Sequence, residues 1–250
     1  MQKQDVPTVP IFGVPVSRLD MRQTVAYLAE AIRRKQPHQV ITANPIMVMA
    51  ALDDPAYLAM MKQAELIVPD GAGVVWAAGY VGQPVAERVA GYDLLHELMK
   101  LGQAEGWKVY LLGAAPDVIQ AAAERLMTRY PTLRLVGVRD GYFGEAQDAE
   151  VIRDIVDKAP DVLLVGRSAA SQEPWIAKHK EQLQVPVMMG VGGSFDVLSG
   201  KLKRAPVVFQ KLRLEWFYRL LQEPWRYKRM LVLPKFAVKV IREKENVAKP

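Results

Sequence analysis

The sequence predicts an α/β fold: a Rossmann-like, mostly parallel sheet with helices on both faces, plus a C-terminal helical appendage. Three observations predict it. Short apolar runs alternate with helical patterns through the first 195 residues. Several runs lead directly into a helix start. Strand signals stop after residue 196, where the charge also changes. Alternation at this spacing requires parallel strands whose crossovers cover both faces of the sheet.

The strand candidates, in order, are Thr8–Ile11, Val14–Val16, Gln39–Thr42, Glu65–Val68, Lys108–Leu112, Leu133–Val138, Asp161–Val165 and Val187–Val191. The first two flank Gly13 and suit a small hairpin. Helix starts are marked by Asp20 with Gln23 three residues on, a capping-box spacing. Asn44-Pro45 and Asp54-Pro55 each place a cap residue before a proline at the first helical position, and Pro116 opens a similar segment. The uncharged stretch 71–86 reads as a buried helix and loop, too broken by glycine and proline to cross a bilayer. After residue 196, three helices are expected over about 206–222, 224–232 and 234–245, separated at Pro224 and Pro234. Residues 1–195 thus read as a catalytic body, expected to fold alone, and 196–250 as a membrane-facing appendage.

The charge divides at the same place. Residues 196–250 hold 14 Lys+Arg and 5 Asp+Glu, while the preceding 195 hold 19 and 22. The tail also carries Trp216, Phe217, Tyr218, Trp225 and Tyr227. A near-neutral body with a basic aromatic tail suits an enzyme working at an anionic surface. The absence of cysteine excludes disulfides and thiolate metal sites. The N-terminal residues contain no apolar signal core. The expected location is cytoplasmic, peripheral on the inner face of the cell membrane.

Ligands of parallel α/β sheets bind outside the carboxyl ends of the strands. Five segments fall at such ends. Thr42 and Asn44 leave one strand, although Asn44 also suits a plain helix cap. Asp70 follows another and is a general-base candidate, or a turn residue. Arg88 lies in a loop, where it can hold a diphosphate or form a surface ion pair. Tyr142 follows Asp140-Gly141 and can stack on a base. The run GVGGSFD, 190–196, offers the amides of Gly192 and Gly193 to phosphate oxygens, with Asp196 beside them. Its spacing is neither a dinucleotide fingerprint nor a P-loop. His38, His96 and His179 have no ligand spacing and read as surface or packing residues. No D-x-D pair occurs.

Together these segments resemble the WecG/TagA/CpsF family of bacterial glycosyltransferases. The resemblance rests on TANP, PDG, RVAGYD, RDGYF, Gln172–Trp175, GVGGSFD, KRAP and LEWFYRLLQEPWR, in that order over most of the chain. It implies inverting β-1,4 transfer of an N-acetylhexosamine, typically N-acetylmannosamine, from UDP onto lipid-diphosphate-linked N-acetylglucosamine, in wall teichoic acid, common-antigen or capsule assembly. The catalytic set it implies is Asp70, Thr42, Asn44, Arg88 and Gln172. Gly192, Gly193, Asp196 and Tyr142 would bind the donor, with Arg219, Arg226 and Arg229 brought from the tail to its diphosphate. No cofactor or metal is expected. The partners are the UDP-sugar, the polyprenyl-diphosphate acceptor and an anionic membrane, with self-association left open. The segment 165–175 departs from the family pattern, having Ala170 and Ser171 where proline and lysine are usual, which bears on donor choice. The alternatives are a different UDP-hexose donor and a basic nucleic-acid-binding α/β protein. The leucines among the tail's cations favour an interfacial helix over nucleic acid. An oxidoreductase would need glycines at the first strand–helix junction, and Thr42–Pro45 has none.

Overall fold

The computed structural model describes residues 6–249. Residues 1–5, read above for a signal, lie outside it. An antiparallel hairpin, β1 (Thr8–Ile11) and β2 (Val14–Ser17), turns at Phe12 and Gly13, both with positive φ. Six parallel strands follow: β3 (His38–Ala43), β4 (Leu66–Pro69), β5 (Lys108–Gly113), β6 (Arg134–Arg139), β7 (Val162–Gly166) and β8 (Val187–Gly190). Their spatial order is β4-β3-β8-β7-β5-β6. All eight predicted strands form, with ends shifted by at most one residue.

The crossovers are α1 (Met21–Arg33), α2 (Pro45–Asp53), α3 (Pro55–Gln63), α4 (Ala72–Tyr80), α5 (Gly91–Glu105), α6 (Pro116–Arg129), α7 (Asp148–Lys158) and α8 (Ala169–Leu183). The predicted caps are real. Asp20 and Gln23 form the reciprocal capping box. Asn44 Oδ1 accepts from the amides of Ile46 and Met47, and Asp54 Oδ1 from those of Ala56 and Tyr57. Strands β4, β7 and β8 are buried along their whole length because helices cover both faces. All three histidines are buried rather than superficial. His38 meets Tyr27 and Gln36, His96 meets Tyr130, and His179 meets Asp148. Burial pushes the His96 pKa down to about 4, helped by Arg129 and Arg204.

The sheet order fixes where a ligand can sit. From β3 the chain moves outward to β4, whereas β8 reaches β3 from the opposite side. Loops therefore diverge at the carboxyl ends of β3 and β8, opening a crevice between them.

The tail comprises α9 (Ser194–Leu198), α10 (Val207–Lys211), α11 (Glu215–Gln222), a 3-10 turn (Pro224–Arg226), α12 (Tyr227–Met230), α13 (Val232–Arg242) and α14 (Lys244–Val247). It is more broken than predicted. The first expected helix divides near Arg213, whose φ is +60°. Pro234 does not separate two helices but is the third residue of α13. There its missing N–H has no intrahelical acceptor to lose.

The division at residue 195 also needs correction, because it cuts α9, which packs on α6. Further on, Phe236, Val240 and Val247 are buried in the same apolar cluster as the hairpin and α2. The Phe236 ring meets Phe12 edge-on at 6.3 Å, and the Phe12 amide donates to Val247 O at 2.7 Å. Deleting residues 197–250 therefore strips part of the core, so it is not a clean test of the tail. Phe236→Ala should destabilise the whole protein by about 3–5 kcal/mol. A urea-unfolding midpoint unchanged in this variant would mean that α13 is a separable appendage after all.

Candidate active site

A cleft of 800 Å³ lies over the carboxyl ends of the strands, closed on one side by the tail. All twelve residues singled out in the sequence line it. They come from β3, β4, the loop before α5, β6, α8, β8 and α11–α12, so no single segment makes the site.

Its floor is an interlock of two chain crossings. The amides of Asp70 and Gly71, just past β4, both donate to Ala43 O of β3, at 3.0 and 3.1 Å. A Cβ on Gly71 would lie 2.5 Å from Pro45 Cδ and 2.9 Å from Asn44 Cα. Only glycine lets the Asp70 turn approach so closely. Thr42 packs on Gly91 at the start of α5. Asn44 does serve as the α2 cap through Oδ1, and it also lines the cleft.

Asp70 is held by Arg88. The guanidinium lies 3.4 Å from Asp70 Oδ1 and also donates to the Asp70 carbonyl. Its other arm pairs with Glu215 of α11. Of the two roles the sequence left open, Arg88 takes the ion pair, partly buried and with two carboxylates, rather than standing free for a diphosphate. Roughly a quarter of the Asp70 side chain, 27 %, still meets solvent in the cleft. Protein nonetheless surrounds it, and this desolvation raises its pKa above the usual carboxylate range. Arg88 and the Gly91 amide oppose the rise without cancelling it.

The glycine turn after β8 makes the facing wall. Gly192 adopts φ +49°. Its amide donates to Gln172 Oε1 at 3.0 Å, so it is not presented to the cleft as expected. Gln172 is itself 4 % exposed and donates to Glu173, so both ends of its carboxamide are occupied inside the protein. Gly193 stands against the tail: a Cβ there would lie 2.5 Å from Arg219 Nη2. Arg219 donates to Glu223 at 2.8 Å and lies 3.8 Å from Asp196. Arg226 shares Glu223 at 3.3 Å. Burial, then the neighbouring Arg219, lowers the pKa of both Arg226 and Arg229. The lining holds eight basic and five acidic side chains, an excess of positive charge in a partly enclosed space. Such a place suits a multiply charged anion. Tyr142 stands at the rim, 75 % exposed.

Sequence reasoning missed Glu215 and Glu223, and took Arg167 only as part of the departing 165–175 segment. The first two had a visible signal, since Glu215, Arg219 and Glu223 recur every four residues and fall on one helical face. Arg167 lies over the Phe143 ring at 4.5 Å and lines the cleft.

The sequence profile described as "Glycosyl transferase WecG/TagA/CpsF family" matches residues 9–249. The chain belongs to this family. It is a glycosyltransferase. Among its relatives is a protein of Bacillus subtilis (strain 168), 35 % identical over 241 residues, which are 96 % of this chain and 93 % of the relative. Another, from Staphylococcus aureus (strain MW2), is 36 % identical over 250 residues, 99 % of this chain and 98 % of the relative. Both are named N-acetylglucosaminyldiphosphoundecaprenol N-acetyl-beta-D-mannosaminyltransferase. The family match extends through the tail, in keeping with a cleft wall built from α11 and α12.

If the β8 turn receives the donor phosphates, a side chain at Gly193 must displace the Arg219 guanidinium. Gly193→Val is expected to weaken UDP binding at least tenfold by calorimetry while leaving the unfolding temperature nearly unchanged. Parental UDP affinity would place the donor elsewhere.

Proposed function

We propose that this chain transfers N-acetylmannosamine from a UDP-sugar to the 4-hydroxyl of N-acetylglucosamine on a polyprenyl diphosphate, with inversion at the anomeric carbon. The observation that carries it is the pairing within one cleft of a carboxylate of raised pKa with three tail arginines. The relatives' names supply the substrate class.

In this reading Asp70 takes the proton of the acceptor hydroxyl as its oxygen bonds to the anomeric carbon. The bond from that carbon to the β-phosphate oxygen breaks, and UDP leaves with the electron pair. Arg219, Arg226 and Arg229 stabilise the departing charge, with the Gly193 amide beside them. Thr42 and Asn44 orient the acceptor sugar, and Tyr142 stacks on uracil. Gln172 acts from behind by holding the turn. A second reading keeps the reaction and changes the donor to another UDP-hexose. It is favoured by Arg167 and Ser168 in the cleft, and a panel of UDP-sugars decides it.

The base must be ionised, so the rate should fall as pH drops through the raised pKa of Asp70. Arg88 holds that pKa down. Arg88→Gln should therefore move the acid limb of the pH–rate profile to higher pH, and Asp70→Asn should cost ~10²–10⁴-fold in rate above that limb, with the ratio shrinking below it as the parental aspartate protonates. An unmoved acid limb in the first, or a near-parental rate in the second, would remove Asp70 from the role of base.

Metal independence is also expected, because protein cations face the leaving group. Activity should persist in excess EDTA, and Arg226→Ala should lower it even with added magnesium. Complete loss in EDTA, restored by magnesium or manganese, would sink this part of the reading.

No helix among the described residues is long and apolar enough to cross a membrane. We place the protein peripherally, on the inner face of the cell membrane. Trp216, Leu221, Trp225 and Leu231 are exposed among the tail's cations, and Trp225 is 71 % exposed. Tryptophan and leucine suit the headgroup layer, and each nearby cation contributes about 1 kcal/mol on an anionic surface. The double variant Trp216→Ser/Trp225→Ser should stop sedimenting with phosphatidylglycerol vesicles yet retain activity on a water-soluble acceptor. Undiminished sedimentation would refute the assignment of this face.

A further inference from the structure

One carboxylate near the site has no part in the mechanism above. Glu173 on α8 is 1 % exposed. It sits under the crevice between β3 and β8. A Cβ on Gly190, the last residue of β8, would lie 2.1 Å from Glu173 Oε1. Among the described residues no cation offsets its burial; hydrogen bonds from Gln39 and Gln172 are what oppose it. An uncompensated buried carboxylate is costly, and a neutral side chain of the same size would fill the space at less cost.

What a carboxylate supplies is two oxygens that only accept. Glu173 Oε2 accepts from Gln39 Nε2 at 3.1 Å, and Oε1 accepts from Gln172 Nε2 at 3.0 Å. The second bond decides which way the Gln172 carboxamide faces. With its nitrogen toward Glu173, its oxygen must face Gly192, where it accepts the amide at 3.0 Å. Gln39 cannot absorb a mismatch by turning over, because the same nitrogen also donates to the Glu173 carbonyl at 3.1 Å.

We propose that Glu173 is a positioning residue for the donor site: its acceptor pair sets the polarity of the Gln172 carboxamide, which draws the Gly192 amide inward and leaves Gly193 to face the donor phosphates. The inference rests on the donor placement proposed above. In Glu173→Gln, one oxygen becomes an NH2 group. Gln39 is fixed, so that group faces Gln172, which must turn over and point its own NH2 at the Gly192 amide. Two donors then oppose each other and the turn opens. Adding Gln172→Glu cures this. The carboxylate at 172 accepts from both Gly192 and the new glutamine, and the oxygen of that glutamine still accepts from Gln39.

Protonation of the parent should produce the same mismatch, since it turns one oxygen into a donor. Burial raises the Glu173 pKa to about 7. The titratable group facing it is Tyr57 of α3, whose phenol burial first, and then Glu173, push up to about 12, with Arg229 of α12 beyond. On β3, His38 is bonded to Gln36 and Tyr27, and β8 has no titratable residue. On the α7 side, Asp148 is bonded to Trp175 and His179.

The test uses the full chain and two readouts: the Gly192 amide proton by NMR, and UDP affinity by calorimetry. The parent Gly192 resonance should titrate with a midpoint near pH 7. In Glu173→Gln it should be flat, shifted upfield, with UDP bound about tenfold more weakly. Glu173→Gln/Gln172→Glu should return the resonance toward the parental position. A Gly192 resonance that ignores pH in the parent, stays parental in Glu173→Gln, or fails to return in the double variant would overturn the proposal. The pH arm needs no variant to fold. Gly193→Val separates this from failure of the donor placement. If Gly193→Val loses UDP and Glu173→Gln does not, only the relay is wrong; if neither does, the donor lies elsewhere.

Discussion

Arg88 joins the two halves of this molecule at the point where chemistry is expected. One arm reaches Asp70 at the end of a core strand, and the other reaches Glu215 on a tail helix. A cation shared by two partly buried carboxylates is stable only while both remain in place, because removing either leaves unbalanced charge in a poorly solvated site. The tail is thereby registered against Asp70. Arg219, one turn beyond Glu215 on α11, falls on the glycine turn after β8 as a result.

The opposite wall has the reverse problem. Arg219, Arg226 and Arg229 are crowded around Glu223, and burial together with mutual repulsion lowers the pKa of the latter two. Such a cluster is destabilising alone and is relieved by an anion. That relief is the physical basis for the diphosphate-binding role proposed for these arginines. Since α13 and α14 anchor in the core beyond the arginines, the cluster is tethered at both ends: through α9 on α6 and through Phe236 and Val247 on the hairpin.

Behind the walls, hydrogen-bond polarity does the positioning. Glycine at 71 lets two backbone segments meet at a distance that a Cβ would prevent, and glycine at 190 and 193 leaves room for the Glu173 carboxylate and the Arg219 guanidinium. Buried amides and carboxylates then settle which way each turn faces. This is why Gln172 contributes from inside the protein, and why the amide of Gly192, conspicuous in the sequence, points away from the cleft.

The sequence by itself determined the strands, the capped helix starts and twelve residues that the fold gathers along one cleft, because these depend on local patterns. Alternating apolar runs, Asn-Pro and Asp-Pro steps and short polar motifs at strand ends are all readable within about ten residues. It also located the charge break near residue 196. It did not determine who pairs with whom. Arg88 could be read only as a diphosphate ligand or an ion-pair partner, without the carboxylates being named, because they stand 18 residues before it and 127 residues after it. Glu173 read as an ordinary motif residue because nothing local marks a buried carboxylate. The tail read as an appendage because its helices are amphipathic, and only the packed structure shows that Phe236 and Val240 face the hairpin core. Composition and periodicity fix what each segment can become; the tertiary structure decided which charges meet and which amides remain free, since those depend on distances between segments remote along the chain.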